Sequence, residues 1–454
     1  MMNSGQGTMG SVLGNGRRAL AEEVPVGYKR TEVGVIPEEW DIMQLADVCT
    51  SQGIVRGPFG GSLKKETFAT FGFKVYEQRN AIYKSCEIGS YFVDQSKYAE
   101  MHRFSVSPGD FIISCSGTIG RIFQIPREAP QGIINQALLK LTTDQEVVCD
   151  RYFYILFEWD EFQMRIIDST QGGAMKNLVG MDVFRTTPVV LPPLSEQRAI
   201  AEALSDVDGL LAALEALIAK KRAVKQAAMQ QLLTGKSRLP GFSEAWETKR
   251  IGDLFESTAG GDFDSTRSSD VQSDSHPYPI YANGLSQEGL YGFCNYAESR
   301  PGSITITARG TLGEAFYRDT PFVAIGRLLV LEPKVRMDAR FFSSYINHSI
   351  HFAVESTGVP QLTAPQVARY SLPVPPEPEQ RAISETLSDM DAETAALERR
   401  RDKTRVVKQG MMQQLLTGRV RLVKSEVAVK QTAMNDLTLT PKCKEEENGN
   451  RLLQ

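Results

Sequence analysis

The sequence has little of the chemistry that marks secreted, metal-binding or membrane proteins. Six cysteines are spread over 454 residues without any Cys-x-x-Cys pair, which argues against a disulfide framework and a zinc ribbon and fits a reducing cytoplasm. No stretch approaches the ~18 consecutive apolar residues of a transmembrane helix, so no membrane association is expected. Residues 1–23 lack the apolar core of a secretory signal, so none is expected there.

Catalytic motifs are also missing from the sequence. Only four histidines occur, and although His348 and His351 have helical spacing, no cysteine or acidic partner stands at metal-ligand spacing. There is no Gly-x-Ser-x-Gly or His-Glu-x-x-His motif, and no Asn-Pro-Pro-aromatic motif of the kind that adenine methyltransferases use. We therefore expect no catalytic residue, cofactor or metal in this chain. The net charge of −4 also lacks the basic surplus of most stand-alone DNA-binding proteins.

The chain is organised by an internal repeat. Residues 196–235 and 379–418 align without gaps at an offset of 183, and 26 of the 40 positions are identical. Upstream the similarity is fainter: Trp40 pairs with Trp246 at an offset of 206, and Tyr76 pairs with Tyr281 at 205. The chain therefore contains two copies of one unit. Each copy begins with a part that differs between the copies and ends with a part that is nearly identical in both.

The nearly identical parts have the period of long helices, and the apolar residues of the first copy follow the spacing of a coiled-coil seam. The seam residues are Ile200, Leu204, Val207, Leu211, Leu214 and Ile218 in the first copy and Ile383, Leu387, Met390 and Leu397 in the second, where Thr394 and Arg401 interrupt the seam. About 40 residues at ~1.5 Å per residue predict rods of roughly 60 Å. Gly235 and Gly418 stand where a glycine commonly ends a helix.

The Gly235-Lys236-Ser237 tripeptide resembles the end of a phosphate-binding loop. That motif requires an earlier glycine at position 230, where this chain has Gln230. The second copy continues from Gly418 without lysine or serine. A helix cap is therefore the better interpretation of both glycines.

The divergent parts predict compact α+β domains. Segments such as PGDFIISCSGTIGRIFQI alternate β-branched and small residues around Gly-Thr turns, and one aromatic-rich segment late in each copy has helical spacing. We predict a flexible N-terminal segment, a first domain, a first helix, a second domain, a second helix and a flexible tail, at residues 1–23, 24–193, 194–238, 239–376, 377–422 and 423–454.

This pattern resembles the specificity subunit of type I restriction–modification enzymes from about Val24 to Leu422. The residues that carry the resemblance are LPPLSEQRAIAEALSDVD with its copy VPPEPEQRAISETLSDMD, the two QQLLTG endings, IPEEW with FSEAW, and the GTIG and GTLG turns. The resemblance implies an α+β fold with two target recognition domains in tandem, each followed by a long helix. The two helices would pack as an antiparallel coiled coil with pseudo-two-fold symmetry, and the seam residues would form that interface or contact partners.

The resemblance also implies a function and partners. Each recognition domain would read one half of an asymmetric bipartite site in double-stranded DNA, and the helices would act as spacer and scaffold. Catalysis would lie in partners: DNA adenine methyltransferase subunits, usually two, that use S-adenosylmethionine, and motor-endonuclease subunits that use ATP and Mg. Two alternatives remain open: the same fold serving a fused restriction–methylation enzyme, and a coiled-coil scaffold whose domains bind peptides.

Candidate DNA contacts lie in loops of both domains. A glycine-rich loop at residues 56–65 offers backbone N–H groups, a phenylalanine and three cations to phosphates, and other loops carry Arg, Gln and Asn side chains that suit base edges. The candidates are Arg56, Phe59, Lys64, Lys65, Gln78, Arg79, Asn80 and Arg121 in the first domain and Asn283 and Arg309 in the second. Ordinary surface loops with solvated or paired side chains are the alternative interpretation.

Overall fold

A computed structural model describes residues 24–59, 61–168, 177–353 and 360–422. The predictions for the two ends of the chain, residues 1–23 and 423–454, lie outside the described residues. The described residues form two compact units: the first holds those up to Gly209 together with those from Arg405 to Leu422, and the second holds those from Leu210 to Thr404. Within the described part, no helix is long and apolar enough to cross a membrane.

Short strands and helices build the first domain, and a long helix follows it. The strands are β1 (Tyr28–Thr31), β2 (Gly34–Pro37), β3 (Asp41–Gln44), β4 (Cys49–Arg56), β5 (Phe73–Tyr76), β6 (Phe92–Val93), β7 (Ser105–Val106), β8 (Phe111–Ser114), β9 (Ile122–Gln124), β10 (Gly132–Ile134), β11 (Leu138–Thr143), β12 (Ile167–Asp168), β13 (Asn177–Leu178) and β14 (Pro188–Leu191). The helices are α1 (Gln78–Tyr83), α2 (Gln95–Glu100), α3 (Asp150–Glu158), α4 (Asp160–Ile166), α5 (Met181–Thr186) and the long α6 (Leu194–Leu232).

Two four-stranded sheets form the centre of the first domain, with strand orders β4-β11-β8-β9 and β6-β5-β10-β7. Strand β8 is buried on both faces, since Ile113 packs in the main core with helix α3 while Ile112 packs toward the second sheet. The aromatic-rich segment that we predicted as one helix forms two, α3 and α4. They separate at Trp159, whose backbone is extended (φ −70°, ψ 130°) and whose side chain is buried in the main core.

The second domain repeats this arrangement with fewer elements. Its strands are β15 (Glu247–Arg250), β16 (Phe255–Ala259), β17 (Ser268–Ser269), β18 (Tyr278–Tyr281), β19 (Leu290–Cys294), β20 (Ser303–Ile306), β21 (Ala315–Arg318), β22 (Val323–Ala324), β23 (Leu329–Pro333) and β24 (Ser371–Val374). The helices are α7 (Ile251–Leu254), α8 (Ala339–Ser349), α9 (Ala364–Ala368) and the long α10 (Glu377–Leu415). The sheet orders are β16-β23-β20-β21 and β17-β19-β18-β22, so the α+β repeat is confirmed.

Inside each unit the two long helices pair antiparallel. In the first unit Ile200 and Leu204 of α6 share a core with Leu415 of α10, and Asp208 pairs with Lys408 at 2.7 Å. Residue numbers therefore rise along one helix as they fall along the other. This confirms the antiparallel packing that the family resemblance implied.

The second unit shows the same direction of pairing. Lys221 pairs with Glu393 at 2.7 Å and Lys225 with Asp391 at 2.6 Å. All ten predicted seam residues are buried or half-buried. Thr394, which interrupts the seam, is buried too, and its hydroxyl donates to the Met390 carbonyl at 2.8 Å. This internal hydrogen bond lets a polar residue occupy an apolar position without an unsatisfied donor.

A buried carboxylate joins the first domain to both helices. Glu196, in the first turn of α6, is 1% exposed. Its oxygens accept hydrogen bonds from the indole of Trp40 at 3.0 Å and from the guanidinium of Arg421, just beyond α10, at 2.6 and 2.7 Å. A charge removed from water is tolerated only when it is paired and hydrogen-bonded, so this contact fixes three segments at one point. We call it the first junction.

The second unit contains the equivalent contact with the helices exchanged. Glu379, in the first turn of α10, is fully buried and accepts hydrogen bonds from Trp246 at 2.9 Å and from Arg238, just beyond α6, at 2.6 Å. Each arginine also lies over its tryptophan ring. We call this contact the second junction. The two junctions explain why each copy has the Glu of EQRAI and the Trp of its entry motif, which is IPEEW in the first copy and FSEAW in the second.

The neighbouring glutamines hold the start of each helix to its domain. Gln197 accepts from the Cys149 amide at 2.8 Å and donates to the Pro192 carbonyl at 2.9 Å. Gln380 accepts from the Asp338 amide at 3.0 Å and donates to the Pro375 carbonyl at 2.7 Å. The amide side chain therefore ties each long helix to the chain that precedes the late helix of its domain.

The helix-cap interpretation of the two Leu-Thr-Gly endings is confirmed. Gly235 and Gly418 have left-handed backbones, with φ of 68° and 70°. Just after each helix, a backbone amide donates a hydrogen bond to the carbonyl six residues earlier: Ser237 to Gln231, and Val420 to Gln414. These bonds satisfy carbonyls that a helix end leaves without partners.

Replacing the junction carboxylate tests its role in stability. Glu196→Ala is expected to lower the free energy of unfolding by about 3 kcal/mol, because it leaves Arg421 and the Trp40 indole without their buried partner. Glu202→Ala, on the exposed side of the same helix, is the matched control and is expected to change stability by less than ~0.5 kcal/mol. Urea unfolding of the full chain measures both, and equal effects would contradict the junction's importance.

Two glycines of α10 and its cap are expected to respond to alanine with opposite signs. Gly410 is helical with nothing within 4 Å of an added Cβ, so Gly410→Ala should raise stability by up to ~1 kcal/mol. At Gly418 an added Cβ would lie 2.4 Å from Pro37, and the left-handed backbone alone costs an alanine ~1–2 kcal/mol. Thermal unfolding of both variants gives the signs, and a stabilising Gly418→Ala would refute this account of the cap.

Candidate nucleic-acid interface

In the first domain, strands from both sheets end at one edge. The backbone pairs Leu139 with Arg56, Leu138 with Ser114 and Ile134 with Tyr76. The segments beyond these positions therefore leave the sheets side by side. We call them loop edge 1: residues 57–59 and 61–65, 77–80, 115–121 and 135–137.

Close backbone contacts hold the members of loop edge 1 together. A Cβ on Gly57 would lie 1.9 Å from the Asn135 carbonyl oxygen, so only glycine allows this approach. A Cβ on Gly117 would lie 3.8 Å from the side-chain amide nitrogen of Gln78. The hydroxyl of Ser114 donates to the Thr118 carbonyl at 2.6 Å and closes the Gly-Thr turn.

Most predicted DNA contacts of the first domain are exposed at this edge. Phe59 is 88% exposed. The predicted cations that are exposed are Lys64, Lys65, Arg79 and Arg121. None of these four forms an ion pair within the part of the chain that the structure describes. Unpaired cations beside an exposed aromatic ring are the groups that contact phosphates and bases.

Two further predicted residues are half-buried at the same edge. Arg56 lies beside the thiol of Cys115, and burial raises the pKa of that thiol to about 11 while Arg56 opposes the rise. The Oε1 atom of Gln78 is buried and has no hydrogen-bond partner among the described residues.

The structure corrects the prediction for Asn80. Its side chain is fully buried and accepts from the Glu77 amide at 2.7 Å while donating to the carbonyls of Ser85 and Ile88, each at 2.8 Å. All of its strong hydrogen-bonding groups are therefore used inside the protein. Asn80 caps the start of α1, which carries Arg79, and is not itself available to a base.

The second domain has the corresponding edge. The backbone pairs Ala259 and Ile306 with Leu329, and Tyr281 with Ala324. We call the segments beyond these positions loop edge 2: residues 260–263, 282–285, 307–314 and 325–328.

Asn283 clamps two segments of loop edge 2. Its side-chain amide donates to the Gly326 carbonyl at 2.7 Å and accepts from the Ala308 amide at 2.7 Å. Like Asn80, it has a structural role in place of the predicted base contact. The clamp places the exposed Arg309, which directly follows Ala308, beside the segment that carries Arg327.

Sequence reasoning missed Arg327. This exposed arginine has a left-handed backbone (φ 69°), which residues other than glycine rarely adopt. Its amide donates to the Gly260 carbonyl at 2.9 Å, and its side chain forms no ion pair among the described residues. The only sequence signal was the preceding Gly326, and a lone Gly-Arg pair is too common to identify a site.

A buried arginine supports the second domain behind this edge. Arg318 is 3% exposed, and its guanidinium stacks 3.6 Å from the ring centre of Tyr281. It donates to the hydroxyl of Thr305 at 2.9 Å and to the Glu288 carbonyl at 2.6 Å. Burial lowers the pKa of Arg318 from its ordinary value. Arg318 is thus an internal support and not a DNA contact.

The fold and the repeated edges match a family of DNA-specificity domains. The family model of the type I restriction modification DNA specificity domain matches residues 37–225 and 243–406, which together exceed half of the chain. The protein therefore belongs to this family and carries two copies of its domain. It is a type I restriction–modification specificity subunit, a non-catalytic DNA-recognition protein whose catalytic chemistry lies in partner subunits.

Relatives and solved structures agree with this placement. The type I restriction enzyme MjaVIII specificity subunit of Methanocaldococcus jannaschii is 22% identical over 85% of this chain and 94% of its own length. The MjaX specificity subunit of the same organism is 23% identical over 87% of this chain and 97% of its own.

The similar solved chains show the fold. The S subunit of a type I restriction–modification system from M. genitalium is 16% identical, with a TM-score of 0.52 over 83% of this chain and 96% of its own. A chain from a structural study of complex assembly and conformational transition of the type I R-M system is 17% identical. Its TM-score is 0.55 over 85% of this chain and 99% of its own. Type I specificity subunits bind DNA and work with methyltransferase and restriction subunits.

Substitutions at the adjacent residues Arg79 and Asn80 distinguish a DNA-binding role from a structural one. Asn80→Ala should cost on the order of 1–3 kcal/mol of stability, because it strips partners from buried backbone groups. Arg79→Ala should leave stability within ~0.5 kcal/mol and weaken DNA binding of the assembled complex. Thermal unfolding and DNA titration measure the two effects. If Arg79→Ala unfolded the domain, or left DNA affinity unchanged, the assignment of these two roles would be wrong.

Proposed function

We propose that loop edges 1 and 2 each read one half of an asymmetric, bipartite site in double-stranded DNA. The observation that supports this most directly is that equivalent edges of two equivalent folds carry different exposed side chains. Ser116 of the first Gly-Thr turn is replaced by Arg309 in the second, and Arg121 is replaced by Glu314. Two readers with different side chains favour two different half-sites.

The exposed groups at each edge suit different parts of DNA. Lys64 and Lys65 act as point charges for phosphates, which position a protein on the duplex without specifying sequence. Arg79 and Arg309 can contact guanine through two hydrogen bonds.

The long helices serve as the scaffold for partners in this proposal. On α6, Leu210, Leu217 and Val224 are exposed at a spacing of seven residues. Such a stripe offers an apolar surface to another protein. We place two DNA adenine methyltransferase subunits and the motor-endonuclease subunits among those partners. S-adenosylmethionine, ATP and Mg would be used by them and not by this chain.

Mapping adenine methylation at base resolution tests the function. In the source genome, deletion of this gene is expected to abolish methylation at a single split, asymmetric motif, because no other chain of the complex reads that sequence. Exchanging residues 24–193 for the equivalent domain of a relative is expected to change one half of the motif and keep the other. A change in both halves would contradict two independent readers, and methylation that ignores sequence would contradict the specificity role.

A single substitution tests whether one residue of loop edge 2 contacts a base. Arg309→Ala, assayed in the complex with methyltransferase subunits, is expected to reduce discrimination at one position of one half-site by about 1–3 kcal/mol. Arg369→Ala is the control, since Arg369 is an exposed arginine outside the segments of loop edge 2. If both substitutions weakened the two half-sites alike, loop edge 2 would not be the reading surface.

A further inference from the structure

A cavity of about 900 Å³ opens on the first domain along β4, from Thr50 to Val55, which directly precedes the edge residue Arg56. It lies beside β4 and β11, between a short 3-10 turn, His102–Phe104, and helix α5. We call it the basic groove. Its polar lining includes Thr50, Ser51, His102, Arg103, Lys140 and Arg185. No aspartate or glutamate is among the described residues that line it.

Two of these cations are free to bind an anion. Arg103 and Arg185 are exposed, and neither forms an ion pair within the described ranges. Lys140 donates to the Ser105 carbonyl at 2.7 Å and lies 3.9 Å from the Asp110 carboxylate, so its charge is partly balanced. The groove thus concentrates positive charge from three elements that are far apart in sequence.

The second domain has a groove at the equivalent place with the opposite charge. It measures about 340 Å³, lies beside β16 and β23 and reaches Gly260 and Gly261 of loop edge 2. Its charged lining residues are Glu256, Glu298 and Glu332, and Glu332 pairs with Arg300 at 3.2 Å. Lys140 pairs with β4 in the first domain, and the corresponding residue in the second domain is Val330, which pairs with β16. The fold itself therefore requires neither a basic nor an acidic lining in this groove. Of the two grooves, only that of the first domain is basic.

We propose that the basic groove binds backbone phosphates of the duplex that loop edge 1 reads. The inference rests on the proposed function, because it assumes DNA at loop edge 1. Strand β4 carries Arg56 at the edge and Ser51 in the groove, five residues apart, which is about 17 Å along a strand. That distance is roughly half of the ~34 Å turn of DNA, so a duplex that extends from the edge along β4 would bring its backbone to the groove.

The chemistry favours a polymer backbone over a single anion. The cavity lies in the ~300–1,000 Å³ range of ligand sites, yet its two free cations come from separate elements on different sides. A row of phosphates satisfies several such cations together, and release of counterions adds to the affinity. Because the equivalent groove is acidic, the duplex is held more strongly by electrostatic contacts at the first half-site than at the second.

Salt dependence of DNA binding measures these contacts in the complex with methyltransferase subunits. Arg103→Ala combined with Arg185→Ala is expected to weaken binding on the order of ten-fold. It should also reduce the slope of log affinity against log salt by about 2, since each lost phosphate contact removes about 1. Arg127→Ala, an exposed arginine outside the groove, is the control and should change neither quantity comparably.

Neutral methylphosphonate linkages then locate the phosphates. In the wild-type complex, substitution at particular positions near the first half-site should lower affinity, and the double variant should lose that sensitivity at the same positions. No equivalent dependence is expected near the second half-site. An unchanged salt slope in the double variant, or methylphosphonate sensitivity that the double variant retains in full, would overturn the proposal.

A free anion is the competing ligand. If millimolar inorganic phosphate raised the thermal stability of the wild type but not of the double variant, while the salt slopes for DNA stayed equal, the groove would hold a small anion and the proposal would fail. Methylation mapping separates this failure from that of the proposed function. The double variant should methylate the wild-type motif with unchanged sequence, so a wrong groove leaves the two-reader function intact.

Discussion

The buried carboxylates Glu196 and Glu379 are the constraint on which each unit depends. A carboxylate taken out of water at a helix start must find strong donors nearby. Its donors come from two other places in the chain: the indole of an entry-motif tryptophan, and an arginine just past the end of the opposite long helix. Moving any one of the three segments breaks hydrogen bonds to a buried carboxylate, so domain, helix start and helix end are fixed together.

This constraint separates what must be kept from what can vary. The junctions lie where β14 and β24 lead into the long helices, whereas the loop edges lie at the strand ends that carry Arg56 and Leu329. Loop side chains can therefore change without disturbing a junction. That explains a chain whose helices are nearly identical in the two copies while its loops have diverged, and it is the arrangement that a protein with two different DNA half-sites requires.

The sequence allowed prediction of features that depend on local pattern and repetition. Helix period and the cap glycines Gly235 and Gly418 follow from spacing and repetition, whereas the antiparallel pairing was implied by the family resemblance. Features that depend on contacts distant in sequence were not predictable. The break at Trp159 arises because its indole is buried in a core from many segments, and Asn80 and Asn283 are used by backbone groups that only folding brings near. Arg327 has no periodic signal at all. Amide side chains in loops are thus poor evidence for base contacts until their internal partners are known.

The charge distribution explains how a chain with net charge −4 recognises DNA. Many of its acidic groups are already occupied: Asp208, Asp391 and Glu393 pair with lysines between the helices, and the junction carboxylates are buried. The exposed cations of the loop edges have no such partners in the described part of the chain. At physiological salt, charges more than ~8 Å away are largely screened, so a phosphate at a loop edge is attracted by the few cations beside it. The net charge of the whole chain is therefore a poor guide to DNA binding here, because the field that matters is local.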